Sequence, residues 1–191
     1  NYVNAKFKLL DSQNNKSFAF VKKNDRLINQ KIKKNKFKPK IYKVDTLNMN
    51  KLSNQLNNKY FISDGNKENL SFILKIASKL KLNKTKLFKK LNNFKGLKYR
   101  QQIIFDNKNL TIINDSKSTS FASSENILKS FDDVYWIIGG IPKKGDKLKL
   151  SKKECKNFRV LIFGNHHKKF KKILGNKIKA KNFKNLKELL Q

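Results

Sequence analysis

The 191-residue chain holds one cysteine, Cys155, which excludes an internal disulfide and leaves no second thiol for a zinc-ribbon pattern. Arginine is nearly missing as well, with only Arg26, Arg100 and Arg159. No apolar run nears the roughly 18 residues that a membrane span needs, and the first residues lack the pattern of a secretory signal. The histidines, His166 and His167, have no acid or thiol at metal-ligand spacing and are expected to be exposed at a helix start. Nowhere does Gly-x-x-Gly-Lys-Ser/Thr occur, so a phosphate loop with its cradle of backbone amides is not encoded in these residues. A cytoplasmic protein is expected. Because Asn1 opens directly into a helical pattern (Tyr2, Val3, Phe7, Leu10), an internal piece of something longer is expected too.

What the chain has in excess is lysine. Lysine and arginine together number 46 against 13 acids, a formal net charge of +33. Phosphate neutralisation by such charge supplies most non-specific nucleic-acid affinity. The lysines run from end to end among Asn, Ile and Phe, however, and bidentate or stacked recognition would call for arginine. Such a spread fits a compositional bias better than a binding surface. Self-repulsion should still destabilise the compact state, and salt should relieve it.

Local patterns order the chain. Ser17–Val21 reads as a strand, followed by a turn at Asn24-Asp25. Residues 29–43 are the most lysine-dense and read as a lysine-coated edge strand or loop. Leu70, Ile73, Leu74, Ala77 and Leu80 have helical spacing, and Asn83 can cap a second helix through Leu87, Phe88 and Leu91. Beyond Gly96-Leu97 the grammar changes. Ile103–Phe105 and Leu110–Ile113 flank a polar turn, Val134–Ile138 ends in Gly139-Gly140, and Val160–Phe163 ends in Gly164. Helices are expected after Ser120, near Leu148, over His167–Leu174 and over Asn185–Leu190. Strands alternating with helices, with glycine at the strand ends, predict an α/β fold with a parallel, doubly wound sheet.

The richest segment is Thr111–Ser120, where a β-branched run breaks into a loop with one carboxylate, one lysine and four hydroxyls beyond Asn114. A loop at a strand's carboxyl end, before a helix, is where open α/β sheets bind ligands, because loop groups and helix amides converge there. Asp115 could accept from ribose hydroxyls while Lys117 meets a phosphate or carboxylate.

Four segments stand in a fixed order: Tyr2-Val3-Asn4-Ala5-Lys6-Phe7-Lys8; Gly65-Asn66-Lys67-Glu68-Asn69-Leu70; Gly96-Leu97-Lys98-Tyr99-Arg100; and Ile113-Asn114-Asp115-Ser116-Lys117-Ser118-Thr119, with Gly139-Gly140 behind them. Gly-Leu-x-x-Arg followed by Asn-Asp-Ser-Lys-x-Thr, about a dozen residues on, resembles the Mur ligases of peptidoglycan synthesis. Within that family the likeness is strongest to the members that join D-glutamate to UDP-N-acetylmuramoyl-L-alanine. The resemblance implies that residues 1–97 are the end of a central ATP-binding domain and 98–191 the first part of a Rossmann-like carboxyl-terminal ligase domain. It implies an ATP- and Mg²⁺-dependent ligase that phosphorylates a substrate carboxylate and lets the amine of D-glutamate attack the acyl phosphate. A monomer is implied for the full-length protein.

Residue by residue, the resemblance makes Lys6 a lysine that becomes carbamylated and helps hold Mg²⁺, the carbamate being the oxygen ligand Mg²⁺ prefers. Asn66 would read the adenine with its amide, although Gly65 stands where relatives often carry histidine. Arg100 would reach the nucleotide, and Asp115 would accept from its ribose. Lys117 would face the acyl phosphate and the D-glutamate carboxylate, with the Thr119 hydroxyl beside it. In Ile141-Pro142-Lys143-Lys144 a further D-glutamate lysine is implied, Lys143 being favoured over Lys144 on spacing. Phosphoryl transfer needs mainly positioning and charge neutralisation, which such groups supply. With the phosphate loop, the uridine-nucleotide domain and the region closing over D-glutamate outside these residues, this chain is expected to be inactive alone. Another Mur enzyme or a folylpolyglutamate synthase is the alternative within the class, and a lysine-rich nucleic-acid-binding module is the alternative outside it.

Overall fold

The computed structural model describes residues 2–191 and folds them into two compact units. The first comprises the residues up to Phe61 and Asn66–Asn93; the second comprises Ile62–Gly65 and Phe94–Gln191. Gly96 and Leu97 thus lie in the second unit. Among the described residues no helix is long and apolar enough to cross a membrane.

In the first unit, α1 (Tyr2–Asp11) precedes β1 (Phe18–Lys22), α2 (Arg26–Lys34) and β2 (Lys40–Val44). β1 and β2 pair in parallel from Phe18 opposite Lys40 to Lys22 opposite Val44, with α2 as the crossover between them. α2 corrects the reading of residues 29–43 as edge strand or loop. Lysine density hid the helix signals: the Asp25 side chain accepts from the Ile28 N–H at 2.9 Å as an N-cap, and Ile28 and Ile32, four apart, are both half-buried. Lys31, Lys33 and Lys34 fall in its last turn, where the helix dipole favours cations.

The remainder of this unit is helical: α3 (Met49–Ser53), the 3₁₀ turn Lys59–Ile62 as far as Phe61, α4 (Asp64–Lys79) from Asn66 on, and α5 (Lys84–Asn92). Their apolar stripes meet in a core of Leu56, Phe61, Leu70 and Leu91. Leu80, counted into the stripe of α4, falls past its end and is exposed. Asn83 caps α5 through the Lys86 N–H at 2.9 Å.

The second unit opens with β3 (Gln102–Asp106) and β4 (Thr111–Asn114), an antiparallel hairpin with a bulge between Ile103 and Phe105. α6 (Phe121–Leu128), β5 (Val134–Ile138), β6 (Phe158–Phe163), α7 (His167–Leu174), β7 (Lys179–Phe183) and α8 (Leu186–Leu190) follow. β5, β6 and β7 form a parallel sheet in that order. The architecture is therefore α/β with parallel sheets. Its core gathers Val160 and Ile162 from β6, Phe121 and Leu128 from α6, and Phe170 and Leu174 from α7.

Two expectations fail here. No helix forms near Leu148; instead buried Leu148 and Leu150 alternate with exposed Lys147 and Lys149, the two-residue period of extended chain. β4 pairs with β3 alone among the described residues, so the Asn114–Ser120 loop leaves a hairpin and not a strand of the parallel sheet. β7 escaped notice because an edge strand can carry exposed lysines, here Lys179 and Lys181, in place of an apolar run.

Candidate functional site

Arg100 lies between two residues in left-handed backbone, Tyr99 at φ +66° and Gln101 at φ +48°. The chain reaches it through Gly96, at φ +77°, and a turn closed by the Arg100 N–H donating to the Leu97 carbonyl at 3.1 Å. In that turn Tyr99 is the third residue, the position that asks for glycine or asparagine when φ is positive. Left-handed backbone at a residue with a side chain costs about 1–2 kcal/mol. Here it occurs on both sides of Arg100, and strain of this kind gathers at functional sites.

The Asn114–Ser120 loop is fastened to this turn. The Lys117 N–H donates to the Tyr99 carbonyl at 3.1 Å, and the Gln101 N–H donates to Asp115 Oδ1 at 3.0 Å. Asp115 Oδ2 also accepts from the Ser118 hydroxyl at 2.8 Å, while Asn114 Oδ1 accepts from the Ser116 N–H at 3.1 Å. The loop is thereby rigid at its backbone, yet the side chains of Lys117, Thr119 and Arg100 are exposed. Polar groups on a fixed frame, with their heads left free, suit ligand binding.

Beyond Thr119, α6 begins with Ser120 accepting from the Ser123 N–H in a capping box. Its first amide, that of Phe121, donates to Asp146 Oδ2 at 2.7 Å. Two of the amides expected to converge on an anion at this helix start are thus already engaged, that of Ser123 by a hydroxyl and that of Phe121 by a carboxylate. Asp146 has a second effect: its own N–H donates to the Lys143 carbonyl at 3.1 Å, so it ties the Lys143 turn to the start of α6. Buried Glu125 on α6 accepts from the Lys149 N–H and fastens the far end of the same segment. Lys143 and Lys144 are both exposed there. Gly139 answers a packing need, because a Cβ at that position would stand 2.3 Å from the Phe163 ring, and Gly140, at φ +88°, turns the chain out of β5.

Arg100, Asp115 and Lys117 therefore share one hydrogen-bonded frame in the second unit, Thr119 follows in the same loop, and Asp146 joins the Lys143 turn to the start of α6. Lys6 and Asn66 belong to the first unit. Lys6 is exposed on α1, with Nζ 5.3 Å from the centre of the Tyr2 ring. Asn66 is buried in the first turn of α4 and donates through Nδ2 to the Tyr60 carbonyl at 2.7 Å, so it is not the cap of that helix. His166 and His167 are half-buried at the start of α7. Among the described residues no three acids, histidines or cysteines cluster as a metal site.

Known proteins resemble this chain over much of its length. The D-glutamate ligase "UDP-N-acetylmuramoylalanine--D-glutamate ligase" of Petrotoga mobilis is 35% identical over 140 residues, 71% of this chain and 32% of the relative. The enzyme of that name from Buchnera aphidicola is 37% identical over 128 residues, 64% of this chain and 28% of the relative. That from Wolbachia of Brugia malayi is 30% identical over 113 residues, 59% of this chain and 23% of the relative. The chain is a relative of the Mur ligases. The matched stretch spans about a quarter to a third of the length of these enzymes. No protein-family model matches the chain.

In this Mur-ligase relative the burial of Asp115 has a measurable consequence. Desolvation raises its carboxyl above the ordinary 3.8, opposed by the Ser118 hydroxyl, the Gln101 N–H and the Arg100 charge. The folded state then holds the proton more tightly than the unfolded chain does. The resulting stabilisation is present below the unfolded value and is lost as pH rises through the higher folded value, leaving a half-buried anion at neutral pH. Asp115→Asn keeps an oxygen acceptor for the Gln101 N–H and removes that charge. Thermal melts should show the variant at least as stable as wild type at pH 7, with the difference shrinking towards pH 3; a clear loss of stability at pH 7 would contradict the assignment.

Three residues of the frame escaped the sequence reading. Asp146 stands three positions after Lys143 and could have been noticed as the acid closing the Lys143 turn. Gln101 and Glu125 carry no local signal, because a positive φ at glutamine and a buried glutamate both arise from tertiary contacts.

Proposed function

We propose that this chain is part of an ATP-dependent ligase that adds D-glutamate to UDP-N-acetylmuramoyl-L-alanine through an acyl phosphate, in the cytoplasm, during peptidoglycan synthesis. The observation that carries the proposal is the frame joining Gly96–Arg100 to Asn114–Thr119, since it unites the two motifs on which the resemblance rests. In this reading residues 1–97 belong to a central ATP-binding domain and 98–191 to a carboxyl-terminal ligase domain.

ATP supplies the γ-phosphoryl group that activates the substrate carboxylate, and Mg²⁺ neutralises phosphate charge. The residues fit the nucleotide: Asp115 uses two of its roughly four lone-pair sites within the frame and keeps the others for ribose hydroxyls. Arg100 offers a planar fork for phosphate oxygens, a role lysine would fill only as a point charge. Lys117 places an ammonium where the substrate carboxylate gathers charge, Thr119 donates a hydroxyl to D-glutamate, and Lys143 holds its second carboxylate. Asn66, whose buried amide donates to the Tyr60 carbonyl, would have to turn from that bond to read adenine. Lys6, exposed on α1, can take up CO₂ and would then hold Mg²⁺ through carbamate oxygen.

The deciding experiment uses the protein expressed from its full reading frame. Phosphate release from ATP should require both UDP-N-acetylmuramoyl-L-alanine and D-glutamate, and mass spectrometry should show the amide product. Release with L-amino acids or a folate acceptor in place of these substrates would assign the chain to a sibling ligase and refute the proposed substrates.

A further inference from the structure

Gln101 has a backbone that side chains rarely adopt, at φ +48°, and the sequence offers no glycine or asparagine to ease it. Hydrogen bonds to Ser63 and Asp115 brace it there. Its Oε1 accepts from the Ser63 hydroxyl at 2.7 Å, and its N–H donates to Asp115 Oδ1 at 3.0 Å. Ser63 is fully buried, so its hydroxyl needs an internal partner, and it gives Gln101 an anchor that water cannot compete for. The neighbouring Gln102 Oε1 accepts from the Tyr99 N–H at 3.1 Å and braces the other side of Arg100. The Arg100 turn is therefore bonded on both flanks, and Asp115 depends on the Gln101 N–H for the orientation of one carboxylate oxygen.

We propose that Gln101 is a positioning residue for the nucleotide: buried Ser63 fixes its side chain, its N–H aims the Asp115 carboxylate, and its left-handed backbone presents Arg100. This assignment rests on the ligase reading above, in which Asp115 and Arg100 meet ATP while Thr119 and Lys143 meet the amino acid. In this assignment Gln101 acts through Asp115 and Arg100, so its loss should weaken ATP binding and leave the affinity for the amino acid alone.

Three variants of the protein expressed from its full reading frame separate the parts. Gln101→Pro removes the N–H and forces φ near −65°. Ser63→Ala removes only the anchor, and Gln101→Gly keeps both the N–H and a backbone free to be left-handed. Losing a hydrogen bond to a charged group should raise the KM for ATP about tenfold or more in Gln101→Pro, with a smaller rise of about threefold in Ser63→Ala. Gln101→Gly should stay at or below the Ser63→Ala value. In all three the KM for D-glutamate should hold, which also reports that the variants are folded. An unchanged KM for ATP in Gln101→Pro and Ser63→Ala, with wild-type ligation intact, overturns the proposal; if Gln101→Pro is insoluble, Ser63→Ala decides alone. If the wild type performs no ligation, the ligase reading has failed by itself. A fluorescent ATP analogue then tests positioning directly: a Kd weakened by these variants supports it, and a Kd unmoved overturns it.

Discussion

Lys117→Ala is expected to lower the turnover of the proposed ligase by about 10²-fold or more, the scale set by removing one preorganised group that meets developing charge. The backbone of Lys117 is pinned by its N–H donating to the Tyr99 carbonyl, while the side chain projects exposed from the frame. An alanine keeps that backbone bond, so the loop should survive and the loss should report the ammonium alone. If Lys117 acts where a substrate carboxylate becomes an acyl phosphate, kcat should fall much more than the KM for ATP rises. Steady-state phosphate release at saturating ATP measures both. A turnover within threefold of wild type would remove Lys117 from the chemistry, and a rise in KM for ATP without a fall in kcat would move it to nucleotide binding. Lys117→Arg should not restore full activity, since a fork and a compact ammonium place charge differently.

The contrast between Lys117 and Gln101 shows what the sequence could disclose. The loop that carries Lys117 was legible because its residues are turn-formers with local chemistry: Asn114 and Asp115 bond amides two and three residues ahead, and Ser120 caps a helix. Helices with capped starts were legible for the same reason, as at Asn83, and so was Val134–Ile138, whose five β-branched and aromatic residues match β5. Gln101 was hidden because its conformation comes from partners 38 and 14 positions away. The same holds for Glu125, buried to meet the amide of Lys149, 24 positions on. α2 was hidden differently: its signals were local, but lysine repeated through the whole chain drowned the Ile28–Ile32 spacing. A composition dominated by one cation weakens every pattern that rests on contrast between polar and apolar residues.

That composition also sets how much each core contact matters. With a formal net charge of +33, self-repulsion opposes folding, so little stability is left to lose. Ile162 is 0% exposed on β6, the central strand of the parallel sheet, and belongs to the core that includes Phe121 and Leu174. Ile162→Ala should cost about 2–5 kcal/mol through lost burial and the cavity left behind. Trp136, the single tryptophan, reports on this unit alone, its ring meeting Phe121 edge-on with centroids 5.4 Å apart. Urea titrations followed by its fluorescence should place the midpoint of Ile162→Ala far below wild type. Urea is the right denaturant because it is uncharged, whereas guanidinium chloride would screen the lysines while it denatures. Ile137→Ala, on the neighbouring strand at a position 43% exposed, should change the stability by no more than about 0.5 kcal/mol and leave the midpoint near wild type. Added salt should raise both midpoints together, because screening acts on the charge common to both. Equal losses in the two variants would mean that the face of β6 bearing Ile162 is not the packed one, and with it would fall the placement of α6 on which the Asp146 tie depends.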